Sequence, residues 1–171
     1  DSSGKQEHSA LQENGQNAIE NLSQLTNNLI NQLKFSNFNK KFTPLKINIS
    51  LFHGGEFPNV IPSQAYAQMD IRYPLGVTGS EIFQKISEIV KTTKGKFKLK
   101  TIYTTKPHLV KDKKLINAML RAGASLKMKI KPITLAGNSV AKEFSETDIP
   151  SIVHYPMKKI TAHEPNEYVI I

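Results

Sequence analysis

Arg72 stands at the end of a run in which polar and apolar residues alternate, a position from which a guanidinium can do chemistry. From Gln64 to Tyr73, Ala65, Ala67, Met69, Ile71 and Tyr73 take one face, and Gln64, Tyr66, Gln68, Asp70 and Arg72 take the other. Small apolar residues on one side mark a half-buried strand packed against helices. Arg72 then stands on the open face, where it can grip a carboxylate through two parallel hydrogen bonds. From pattern alone, Asp70 and Arg72 as solvated surface residues is the simpler reading. Just upstream, Gly54-Gly55-Glu56-Phe57-Pro58-Asn59-Val60-Ile61-Pro62 forms a loop rich in Gly and Pro that feeds Asn59 onto this strand. Near the other end of the sequence, His163 precedes Glu164 and Pro165, and Pro165 disfavours a helical Glu164. A neutral imidazole on an extended turn is a good zinc ligand, although the residues alone equally describe a surface histidine beside Glu164 and Glu167.

The elements that must position these groups follow from periodicity. Ile19, Leu22, Leu25, Leu29 and Leu33 recur at helical spacing and predict a helix from about Asn17 to Leu33. Lys46–His53 reads as a strand with Ile47, Ile49 and Leu51 inward and Asn48 and Ser50 outward. Thr78-Gly79-Ser80-Glu81 is a capping box opening a second helix whose buried stripe is Ile82, Ile86, Ile89 and Val90. A further strand, with Phe97 and Leu99 inward, closes this part near Thr104. Helix, strand, strand, helix, strand is a ferredoxin-like two-layer sandwich lacking its first strand. Either Asp1–His8 supplies a stub of that strand or another segment fills its slot, because an empty central slot leaves backbone groups unpaired. The sequence is therefore expected to come from a longer protein, or to be accompanied by one. Beyond Pro107 the pattern changes to a helix over Asp112–Met128, with Leu115, Ile116, Met119, Leu120 and Leu126 as core candidates. A strand at Ile130–Leu135, a helix at Ser139–Glu146 and a strand at Pro150–Tyr155 follow. The fold class expected is α/β (α+β), with one domain over residues 1–105 and an incomplete one over 106–171.

Composition narrows the functional classes. The absence of Cys removes disulfides, thiolate zinc sites and cysteine nucleophiles together, and is compatible with a cytoplasmic location. No apolar run approaches membrane-spanning length, so no membrane partner is expected. The net charge of +9 raises nucleic-acid binding, but much of it lies in Lys94, Lys96, Lys98 and Lys100 on one face of a strand. Lysines in a row protect a sheet edge from foreign pairing, and there is no Trp for stacking. The stripe reads as a solvated edge and no nucleic acid as a partner.

Three motifs in order carry a resemblance. They are Gly4-Lys5-Gln6-Glu7-His8-Ser9 with Gly15-Gln16-Asn17-Ala18-Ile19, then Gly54-Gly55…Asn59-Val60-Ile61-Pro62…Asp70-Ile71-Arg72, then Ala162-His163-Glu164-Pro165-Asn166-Glu167. Together they resemble the lid domain and C-terminal catalytic segment of the two-metal aminoacylase and carboxypeptidase family, which includes desuccinylases and deacetylases. The resemblance implies a zinc-dependent (or cobalt-dependent) amide hydrolase acting on N-acyl amino acids or small peptides, with a homodimer formed through the lid. It implies His163 as a metal ligand with Glu167 orienting its loop, and Asn59 and Arg72 holding the substrate carboxylate. It gives His8 to the neighbouring subunit's active site, steadying an oxyanion. The family's substrate loop maps to Ala136-Gly137-Asn138-Ser139, where Gly137 and Ser139 would touch substrate; Val140 stands where many relatives have Asp. His53, His108 and His154 match no motif.

The family's remaining ligands need a His-x-Asp and a Glu-Glu pair, and this sequence holds neither. With His163 alone, a catalytic zinc lacks the three protein ligands such sites use. The 171-residue chain by itself is therefore expected to be inactive. A competing reading from another class is a non-catalytic dimerisation or binding module that reuses the lid fold.

Overall fold

The computed structural model describes residues 1–39, 42–134, 137, 139–154 and 165. The chain divides into two units, residues 1–107 and 108 onward, with Thr134 grouped with the first.

In the first unit, Asn17 starts helix α1 (Ala18–Gln32) by accepting hydrogen bonds from the Ile19 and Glu20 amides through its side chain. The helix buries Ala18, Leu22, Leu25 and Leu29, and Leu33 just beyond its end is buried too. Leu29 and Leu33 are 1% and 2% exposed. Burying a leucine so fully contributes about 1.5–3 kcal/mol. Helix α2 (Gly79–Thr92) buries Ile82, Ile86 and Ile89 against the same core, with Val90 partly buried. Lys85 ties the two helices: its ammonium donates to the Lys34 carbonyl at 2.7 Å and lies over the Phe35 ring.

The capping box of α2 is formed in full. The Thr78 hydroxyl accepts from the Glu81 amide, and the Glu81 carboxylate accepts from the Thr78 amide. The Thr78 side-chain and backbone hydrogen bonds hold the Glu81 carboxyl below its ordinary value. A carboxyl lowered in the folded state stabilises fully above its unfolded value, and that contribution is lost as pH falls through the lowered one. Thr78→Ala is expected to lower the urea midpoint at pH 7, and by less in acid, where Glu81 is protonated. An equal loss at both pH values would count against the box.

Four strands lie beneath the helices: β1 (Ser2–Ser3), β3 (Lys46–Gly54), β5 (Gln64–Arg72) and β6 (Lys96–Phe97), in the order β3-β5-β1-β6. Two further short strands, β2 (Glu7–His8) and β4 (Val60–Ile61), pair with each other. Every neighbour in the four-stranded sheet is antiparallel, the arrangement of a ferredoxin-like sandwich. The first strand is present after all. Ser2 pairs with Ala65 on one side and Phe97 on the other, and Asp1 exchanges hydrogen bonds with Lys98. The N-terminal stub fills the central slot.

Two expectations for the first unit change. Leu51 is 41% exposed, because the β3–β5 register shifts between Ile49 and Leu51. A bulge adds one unpaired residue, so the side-chain phase inverts and Leu51 falls on the outer face opposite Gln68. The lysine-bearing strand is short, spanning Lys96–Phe97 with the Asp1–Lys98 hydrogen bonds just beyond it. Its lysines 94, 96, 98 and 100 are exposed, while Phe97 and Leu99 pack on the core.

The second unit contains α3 (Lys113–Ser125), capped by the Asp112 carboxylate accepting from the Leu115 amide, and α4 (Ala141–Glu146). Leu115, Ile116, Met119 and Leu120 are half-buried, but Leu126 is 70% exposed. The helix ends before it: Lys127 takes a left-handed φ of 54°, and the Met128 amide turns back to the Gly123 carbonyl. The helix expected over Ser139–Glu146 begins at Ala141. The strands expected at Ile130–Leu135 and Pro150–Tyr155 are not formed among the described residues. A strand exists only with a ladder partner, and apolar content alone cannot supply one. Leu135 and Tyr155 lie outside the described residues.

Candidate functional site

The Gly54-Gly55 turn is dictated by its surroundings. A Cβ on Gly54 would come within 2.8 Å of Ile19 Cγ1, and Gly55 has a φ of +74° that side-chain-bearing residues rarely adopt. The loop beyond it reaches β4, and there a long antiparallel seam continues. Ser2 faces Ala65 and Ser3 faces Gln64; the Gly4 amide donates to the Ser63 carbonyl. Glu7 then faces Ile61, His8 faces Val60, and the Ser9 amide donates to the Asn59 carbonyl at 3.0 Å. Residues some fifty positions apart are thus neighbours: His8 and Asn59 sit together at the far end of the seam, both exposed.

His8 is oriented by its own loop. Its Nδ1 accepts a hydrogen bond of 3.1 Å from the Ala10 amide, capping a short 3-10 helix over Ser9–Asn14. With Nδ1 accepting, the neutral ring carries its proton on Nε2. That leaves an N–H donor directed away from the cap, the group an oxyanion requires.

Arg72 lies at the opposite end of β5. Its guanidinium meets Asp70 Oδ2 through Nε and Nη2, both at 2.7 Å, with each side chain a little under half exposed. On the neighbouring strand Lys46 stands directly opposite Arg72, and Asn48 opposite Asp70. All four belong to the outer face, since the Ile47–Ile71 pair between them packs on the core. Nothing in the local sequence marks Lys46; only the hairpin register brings it to Arg72. Eight strand steps separate Gln64 from Arg72, roughly 26 Å at about 3.3 Å per residue. The seam carries Asn59 and His8 farther still. Along the sheet, Arg72 and Asn59 therefore lie at opposite ends.

In the second unit Gly137 is exposed, and Ser139 is half-buried with its carbonyl accepting from the Lys142 amide at the start of α4. Val140 is 65% exposed. His163 and Glu167 lie outside the described residues. Among the described residues, no three His, Asp or Glu side chains gather as a metal-binding group. No helix among them is long and apolar enough to cross a membrane.

The model of the peptidase dimerisation domain of the M20 group matches residues 1–98. The chain belongs to the M20 aminoacylase and peptidase family. The M20 relatives include succinyl-diaminopimelate desuccinylase from Buchnera aphidicola subsp. Acyrthosiphon pisum (strain Tuc7), 26% identical over 140 residues. That match covers 81% of this chain and 37% of the relative. The enzyme of the same name from Psychromonas ingrahamii is 25% identical over 143 residues, covering 83% and 38%. Among solved M20 folds, aminopeptidase PepT from Bacillus cereus superposes with a TM-score of 0.66 at 17% identity, over 87% of this chain and 40% of that one. A tripeptidase from Staphylococcus aureus gives 0.65 at 16%, over 86% and 39%. At such identities the two structures speak to the fold. The chain spans about two fifths of the length of the M20 proteins it matches.

Proposed function

We propose that this chain is the lid and C-terminal catalytic segment of a metal-dependent amide hydrolase. Its substrates are N-acyl amino acids or small peptides with a free carboxylate. The observation that carries this reading is the placement of His8 beside Asn59, with a free Nε2 donor, at the far end of the seam from Arg72. The separation of these two ends along the sheet supports a site shared between two subunits. Arg72 takes the substrate carboxylate in its own subunit, and His8 with Asn59 reaches into the partner's site. There the His8 Nε2–H donates to the oxygen that becomes negative as the amide is attacked. Gly137 and Ser139 line the substrate loop. His163 and Glu167 belong to the metal site through the Ala162–Glu167 motif, with zinc or cobalt as the metal.

The described residues do not by themselves assemble a metal-ligand set. The test compares two proteins. The full-length polypeptide carrying this sequence is expected to bind zinc and hydrolyse N-acyl amino acids, and the 171-residue chain alone to do neither at a measurable rate. Robust metal-dependent hydrolysis by the pure 171-residue chain would refute the shared, incomplete site.

A further inference from the structure

The outer face of the β3–β5 hairpin holds an arrangement that is unfavourable as it stands. Lys46 and Arg72 are directly opposite one another in an antiparallel pair. Such partners have Cβ atoms about 4.5–5.5 Å apart, and like charges there repel. Asp70 relieves Arg72 alone: its Oδ2 takes Nε–H and one Nη2–H, the side-on edge of the guanidinium. Lys46 is exposed, and beyond its place in the strand ladder its ammonium makes no ion pair or hydrogen bond to the described residues. Asn48, opposite Asp70, adds a neutral amide to the same face.

The guanidinium has five N–H donors, so the edge not used by Asp70 stays free, on the face where the register also places Lys46. An anion there would meet two donors from Arg72 and one charge from Lys46, turning a repulsive pair into an attractive triad. We propose that Lys46 is a second carboxylate-binding residue, forming with Arg72 a two-cation subsite whose guanidinium is held in position by Asp70. The subsite takes a single carboxylate next to a neutral group; a second carboxylate would approach Asp70. This rests on the reading of Arg72 as the substrate-carboxylate ligand, and adds to it a residue outside the sequence motifs.

The test is a nuclear magnetic resonance titration of the 15N-labelled 171-residue chain with N-acetyl-L-alanine, at constant ionic strength, against N-acetyl-L-alaninamide. The acid is expected to give saturable shifts at residues 46, 48, 70 and 72, and the amide none. Lys46→Gln is expected to weaken binding about threefold to fivefold, as the loss of an exposed charge pair does, and Lys46→Arg to retain it. Lys46 is exposed and Arg72 half-buried, and unchanged spectra elsewhere confirm that the variants fold. If Arg72→Gln abolishes the shifts while Lys46→Gln leaves them intact, the role of Lys46 is overturned and that of Arg72 stands. If Arg72→Gln has no effect, or the neutral amide shifts the same residues, the carboxylate reading of Arg72 falls with it.

Discussion

Mixing full-length His8→Ala subunits with full-length Arg72→Ala subunits is expected to restore turnover that neither variant possesses alone. His8→Ala removes an oxyanion donor and should lower kcat by about 10²–10³. Arg72→Ala removes hydrogen bonds to a charged group and should lower kcat/KM by about tenfold to a hundredfold. In the mixed dimer, one site keeps its own Arg72 and receives an intact His8 from the partner; the other site carries both defects. Random assortment makes half the dimers mixed, so about a quarter of the sites in a two-fold dimer are whole. Recovery toward a quarter of wild-type turnover is therefore the signature of a shared site. If both residues served the same subunit, every site in the mixed dimer would carry one defect and nothing would recover. The prediction depends on the length of β5 and on the seam beyond it, which set Arg72 and His8 apart in each chain.

The helical layer was legible because its signals are local. The α1 stripe repeats with the helical period, and Thr78 and Glu81 are three positions apart, so both can be read within a few turns of chain. The sheet was legible only where alternation survived, as in β5. The Ser50 bulge shifts a single residue, and no feature of Ile49-Ser50-Leu51 announces it. Likewise, Ser2–Ser3 is too short to show any alternation; its place is set by partners more than sixty positions away. In the second unit, Ile130–Ile133 and Pro150–Val153 have strand-like composition but no ladder among the described residues. Strand formation belongs to the pair, and one member's sequence does not contain the other.

The site divides along the same line. Residue types and motif order singled out His8, Asn59 and Arg72, but their grouping came from register. Alternation placed Arg72 on the open face correctly, and its ion pair with Asp70 follows from the i, i+2 spacing on that face. That His8 belongs with Asn59, and Arg72 with Lys46, depends on which strands pair and where. The tautomer of His8 depends on a single amide, that of Ala10.

Gly4→Ala is expected to cost about 2–4 kcal/mol of stability, combining overpacking with lost backbone hydrogen bonds. A Cβ at this position would lie 1.9 Å from the Gln16 carbonyl oxygen, 2.9 Å from its carbon and 3.0 Å from the Ala18 nitrogen. All three are backbone atoms, so no side-chain rotation relieves the clash. The surroundings are also pinned: Lys5 and Gln16 exchange two hydrogen bonds of 2.9 Å, the Gly4 amide donates to Ser63, and the Ala18 amide donates to Pro62. Ala18 is fully buried, which blocks retreat of the helix start. Relief therefore requires opening the Lys5–Gln16 bridge, which lies between Gly4 and the His8 strand. A midpoint lower by roughly 5–15 °C in thermal unfolding is the expected result for a chain of this size, with the exposed Gln6→Ala as a control that should move little. Replacing this one hydrogen with a methyl should also slow the full-length enzyme beyond what lost stability explains, because the seam that aims His8 passes through Gly4. An alanine variant as stable and as fast as the parent would mean that the backbone does not close on itself here, and that His8 is placed by something other than this seam.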